Sequence, residues 1–76
     1  GKSLSISDNP NDYKPGDLVT WNLKSNGSLP HIGIVTNLYS HDQKRPIIMH
    51  NIGMGQVLED MLFDYEITGH YRYGVD

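Results

Sequence analysis

Two histidines stand at matching ends of neighbouring apolar runs: His31 opens "HIGIVTNL" and His50 closes "IIMHN". Strand interiors favour β-branched and aromatic side chains, so an imidazole at such a place needs a reason in packing or in chemistry. If the runs pair as an antiparallel hairpin with His31 opposite His50, then Gly33 faces Ile48, Val35 faces Pro46, and residues 37–44 form the loop. Both rings then share a face, with Cβ atoms about 4.5–5.5 Å apart. That suits a general base, in which one nitrogen takes a proton from a nucleophile while a second polar group fixes the other. A slip of one residue would put Asn51 opposite His31 and turn His50 to the far side of the sheet. The chosen register also groups Ile32 and Ile34 with Ile47 and Met49 as one apolar layer. It leaves Gly33, which lacks a side chain, as a place where a neighbouring element or a substrate backbone can approach closely. Either histidine alone is more often a hydrogen-bonded residue at the rim of a core, and it is their matched placement that raises the chemical reading.

The other polar and aromatic residues admit plainer roles first. Asp17 is expected to fix a turn through an Asx-type hydrogen bond, and Trp21 to fill the core. His41 lies in a polar loop. His70 and Arg72 fall on the polar side of the last strand, where Arg72 could pair a substrate carboxylate or simply be solvated or ion-paired. A metal site would have to join His31 and His50 to Asp17 or His70, and the sequence has no close-spaced histidine pair to support one. No cofactor is expected.

These residues need a scaffold, and 76 residues allow one small domain with a marginal core. Alanine is absent while Gly, Tyr, Ile and Val are frequent, which points to strands and turns. We expect a mainly β fold, a small twisted antiparallel sheet or a half-open SH3-like barrel. Residues 1–14 read as an irregular lead-in wrapping something else. Pro15-Gly16 suits the centre of a type II turn. Strands are expected at 17–22, 31–38, 47–51, 56–59 and 67–73, with an Asn26-Gly27 turn and a Gly53-Met54-Gly55 turn between them. "DMLFDY" is expected to form one helical turn with Asp60 as its N-cap. In the last strand Ile67, Gly69, Tyr71 and Tyr73 should share one face and Thr68, His70 and Arg72 the other.

Nine acidic against six basic residues, with no basic run, argue against a nucleic-acid partner. No apolar stretch approaches the roughly 20 residues of a membrane span, and the N-terminus lacks the features of a signal peptide. The chain has no cysteine, so it carries neither disulfide nor thiol nucleophile of its own. Its polar opening without methionine reads as the edge of a fragment. An upstream half of the same domain, a second chain or a homodimer is then expected to cover the face bearing Trp21.

The order "KPGDLVTW", "HIGIV", "IIMHNIGMGQVLEDMLF" resembles the second half of the NlpC-type papain-like cysteine peptidases. From about Tyr13 to Tyr73, through "ITGHYRY", the chain looks still more like a bacterial family known as domain of unknown function 1287, placed in that superfamily. The resemblance implies that His31 is the general base and His50 the polar residue that orients it, with Asn51 as the alternative orienter. It implies a catalytic cysteine on a helix upstream of the Pro-Gly-Asp turn and an exported or periplasmic enzyme of cell-wall peptides; for such a peptide-like substrate Arg72 and Trp21 are the candidate contacts that the residues themselves offer. On that reading the 76 residues are the β half of an α+β domain and are inert alone. The rival is an SH3-like module in which Trp21, Tyr39, Tyr71 and Tyr73 form a peptide or glycan groove without catalysis.

Overall fold

The computed structural model describes residues 1–23, 30–53 and 55–74. Among the described residues six strands form one antiparallel sheet: β1 (Lys2–Ser3), β2 (Leu18–Asn22), β3 (His31–Tyr39), β4 (Pro46–Ile52), β5 (Gly55–Glu59) and β6 (Glu66–Arg72). Their order is β1-β6-β2-β3-β4-β5, an open sheet whose end strands do not pair with each other, so it is a sheet and not a closed barrel. No helix among the described residues is long and apolar enough to cross a membrane.

Alternation divides the sheet into two faces. Val19 and Trp21, Gly33 and Val35, and Ile48 and His50 point inward, and Leu18, Ile32, Ile34, Ile47 and Met49 point outward. The core comprises Tyr13, Val19, Trp21, Val35, Ile48, Met61 and Leu62. Its cover comes from this chain: Tyr13 from the lead-in, Met61 and Leu62 from the β5–β6 connection. The Trp21 indole N–H donates to the Leu62 carbonyl at 2.8 Å, and Trp21 has no exposed surface. The expected need for an absent helix over Trp21 is therefore corrected. Exposed apolar area lies on the opposite face instead, where Ile32 is 53% and Leu58 57% exposed. Ile32, Ile34, Ile47 and Met49 do share a face, but it is this outer one.

The lead-in wraps its own sheet. Lys2 and Ser3 pair with Arg72 and Tyr71. One turn of 3-10 helix, Pro10–Asp12, starts where the Asn9 side chain accepts from the Asn11 N–H. The Tyr13 hydroxyl donates to the Ser7 carbonyl at 2.6 Å and accepts from the Ser7 N–H at 3.1 Å. The type II turn is formed: the Asp17 N–H bonds the Lys14 carbonyl at 3.0 Å, and Gly16 supplies the positive φ, +91°, that its third position requires.

Three expectations are corrected. "DMLFDY" is not helical: the Asp64 N–H bonds the Met61 carbonyl in a single β-turn, and Asp60 takes a two-point ion pair from Arg45, at 3.0 and 2.9 Å, instead of capping. In β6 a bulge lies between the pairs Thr20–Gly69 and Trp21–Ile67, leaving Thr68 the extra residue. An extra residue reverses the alternation, so Ile67 and His70 both face the core and the expected polar side does not exist. Third, β3 and β4 pair with Gly33 opposite His50 and Val35 opposite Ile48, two residues from the expected register, with a further irregularity before Tyr39 opposite Pro46. Ser40 makes the closing loop tighter than 37–44. Its N–H bonds the Arg45 carbonyl, while its hydroxyl donates to Asp42 and accepts from the N–H groups of Lys44 and Arg45. The expected Asn26-Gly27 turn and Met54 of the Gly53–Gly55 turn lie outside the described residues.

Candidate active site

A shift of two residues preserves the face, so His31 and His50 still meet. They stand diagonally across β3 and β4. Gly33, directly opposite His50, leaves the space over which the His31 ring reaches. His31 Nε2 lies 2.7 Å from His50 Nδ1, with ring centroids 4.9 Å apart and planes at 83°. The missing side chain at Gly33 is used by the protein itself: a Cβ there would come within 2.6 Å of Ile48 and 2.9 Å of Trp21. Trp21 thus lies across Gly33, its ring centroid 6.1 Å from that of His31. It is a wall beneath the His31 ring and has no exposed surface.

The contact continues one strand further. His50 Nε2 lies 2.8 Å from Glu59 Oε1. Glu59 stands opposite Ile48 on β5, diagonal to His50, so three polar side chains run obliquely across β3, β4 and β5. The His50 side chain is nearly buried, 5% exposed, while that of Glu59 is 56% exposed. Burial first, and the neighbouring His50 second, push the His31 pKa below its usual value. The ring is therefore held neutral at neutral pH, with one nitrogen engaged and the other able to take a proton.

A second polar cluster occupies the other side of the core. Asp17 is 1% exposed. Its carboxylate accepts from Arg72 Nε and Nη2, both at 2.8 Å, from the Lys14 N–H at 2.9 Å and from His70 Nε2 at 2.6 Å. Tyr13 stacks on the His70 ring at 4.2 Å. Burial pushes the Asp17 carboxyl up, but the bonds from Arg72, Lys14 and His70 outweigh it and bring its pKa down to about 2.

The expected site residues thus separate. His31 and His50 come together as read. Asn51 is corrected: it points outward, exposed, on the face away from His31. Arg72 is committed to Asp17, and Trp21 is sealed in the core, so neither stands beside His31 with a free contact surface. Asp17 does fix its turn, yet it also anchors His70 and Arg72. The tyrosines of the expected groove, Tyr39, Tyr71 and Tyr73, share no surface with Trp21, which has none exposed; Tyr71 lies on the opposite face of the sheet. Glu59 was missed. Extending the hairpin through the Gly53–Gly55 turn would have found it, because Val57 and Glu59 then alternate onto the face of His50.

No solved structure matches the chain. The uncharacterized protein YijF of Escherichia coli (strain K12) is 47% identical to it over 74 residues, which are 97% of this chain and 35% of YijF. The chain therefore spans little more than a third of that curated relative. Residues 1–73, which hold both histidine clusters, match the model described as Domain of unknown function (DUF1287), and the chain belongs to that family.

Proposed function

We propose that this chain is the base-bearing β part of a papain-like, NlpC-type cysteine hydrolase or amidase that cleaves amide bonds, with exported cell-wall peptides as its substrate class. The observation that carries this reading is the 2.7 Å contact between His31 and His50 on the core face. A neutral imidazole held at one nitrogen is what a thiol nucleophile needs beside it. The order of the motifs, from the Pro-Gly-Asp turn through His31 to His50, supports the same placement.

The nucleophile lies outside this chain, which contains no cysteine. In the longer protein a cysteine thiol would give its proton to His31 and attack the carbonyl carbon. His31 would then return the proton to the departing amine. Water, its proton taken by the same imidazole, would finally release the acyl group from sulfur. His50 keeps the His31 ring in plane throughout.

The test is turnover of an amide substrate by the full-length protein. His31→Ala should lower it by about 10²–10⁴-fold, the range of general acid–base catalysis. His50→Ala should lower it by less, since the base remains but loses its orienter. The 76 residues alone should show no amide hydrolysis. Full activity in His31→Ala would refute the reading, as would hydrolysis by the isolated chain.

A further inference from the structure

We infer that Glu59 is a positioning residue: it decides which nitrogen of each histidine carries its hydrogen, and so leaves His31 Nδ1 as the basic atom. This rests on the reading of His31 as the base. A carboxylate oxygen can only accept, so the 2.8 Å contact from Glu59 Oε1 requires a hydrogen on His50 Nε2. A neutral imidazole has one N–H, so His50 Nδ1 is then a lone pair. His31 Nε2, 2.7 Å away, must donate to it. The single hydrogen of His31 is thereby spent, and Nδ1 is left bare.

Without Glu59 the pair is equally satisfied in reverse. His50 Nδ1 would donate to His31 Nε2, and His31 would carry its hydrogen on Nδ1, where no base would remain. The two arrangements differ only in direction, and the carboxylate is the group that breaks the tie. Its position is well suited to that role. The His50 side chain is 5% exposed, which limits competition from water, while Glu59, 56% exposed, keeps its charge hydrated at the far end. When His31 accepts a proton, the new charge faces that carboxylate through two hydrogen bonds in line.

Long-range ¹H–¹⁵N correlation spectra of the ¹⁵N-histidine-labelled protein, taken where the imidazoles are neutral, read the position of each hydrogen directly. The chain has four histidines, so each pattern can be assigned. In the unmodified protein, His31 and His50 should each show a single form with the hydrogen on Nε2. Glu59→Ala should abolish the single-form pattern of His50, bringing its two nitrogen shifts toward each other. Glu59→Gln should restore it, because the amide oxygen still accepts the bond. His70, on the other cluster, should not change in either variant. A hydrogen on His50 Nδ1, or on both its nitrogens, in the unmodified protein would overturn the inference, as would an unaltered pattern in Glu59→Ala. If Glu59→Ala does not fold, the spectrum of the unmodified protein decides alone. These outcomes are independent of the His31→Ala turnover test, so failure of the tie-breaking role and failure of the catalytic reading can be told apart.

Discussion

His70, Val19, Gly33 and His50 stand opposite one another across β6, β2, β3 and β4. The two histidine clusters therefore share one row of the sheet, three strand spacings or about 14 Å apart. Each contains a histidine in contact with a carboxylate, and the likeness goes little further. Around Asp17 the acceptor sites are filled by an arginine, a backbone N–H and an imidazole, all at 2.6–2.9 Å. Around His50 the chain of contacts ends in a half-exposed carboxylate on one side and, on the other, in an imidazole with a nitrogen to spare. A histidine–carboxylate pair is thus chemically uninformative by itself. What separates a clamp from a candidate base is access: His70 Nδ1 also lacks a partner, but it is sealed inside the core on a ring that is 1% exposed, whereas the His31 ring stands half-buried at the rim.

The largest expected effect tests the clamp. Asp17→Ala leaves Arg72, His70 and the Lys14 N–H without their acceptor, and should cost about 3–5 kcal/mol in chemical denaturation. Glu59→Ala, on the exposed end of its cluster, should cost under about 1 kcal/mol. Equal losses would erase the distinction between the two sites.

Gly33 lies in the row between them. A methyl group there must displace Trp21 and Ile48, so Gly33→Ala should cost about 1–3 kcal/mol through overpacking. Its effect should be uneven: the His31 resonances should move and those of His70 stay, which side-chain NMR can check.

Acid should separate the clusters further. The Asp17 carboxyl is depressed in the fold, so the unfolded chain takes up its proton first as pH falls. Its contribution, about 2 kcal/mol, is present above pH 3.8 and lost as pH falls toward about 2. His31 is also depressed in the fold, but its ordinary value is 6.5. The unfolded chain therefore binds that proton first, and stability should already begin to decline below about pH 6.5. Denaturation midpoints followed from pH 8 to pH 2 should show two separate declines. His31→Ala should remove the upper one only.

The smallest effect concerns a pair in neither cluster. The Arg45–Asp60 ion pair is partly exposed, and Asp60→Asn should change stability by less than about 1 kcal/mol. A larger loss would mean that the β3–β4 loop and the β5–β6 connection act as one unit.

Much of this arrangement was legible in the sequence. Alternation of apolar residues located five strands, and Pro15-Gly16 announced its turn, because both signals are local. The facing of His31 and His50 was also legible, since only the parity of the register matters for it. The register itself was not, because Ser40 closes the loop with side-chain bonds that no strand pattern reports. His70 was misplaced for a related reason: the bulge at Thr68 shifts the alternation by one residue, and a bulge leaves no mark in an alternating stretch. The burial of Trp21 by Met61 and Leu62 was hidden because a segment with the pattern of a helical turn is the lid of the core.

The sheet order has one more consequence, for time and not for geometry. Glu59 is the last residue of β5, and β5 is an outer strand that pairs only with β4. Outer strands peel away before the centre of a sheet does. Each time β5 lifts, the carboxylate leaves His50, and both imidazoles are free to exchange hydrogens with water and re-form either way round. The lifetime of an oriented His31 can then be no longer than the interval between such openings. Amide exchange at Val57, whose N–H faces β4, is the clock that would measure it.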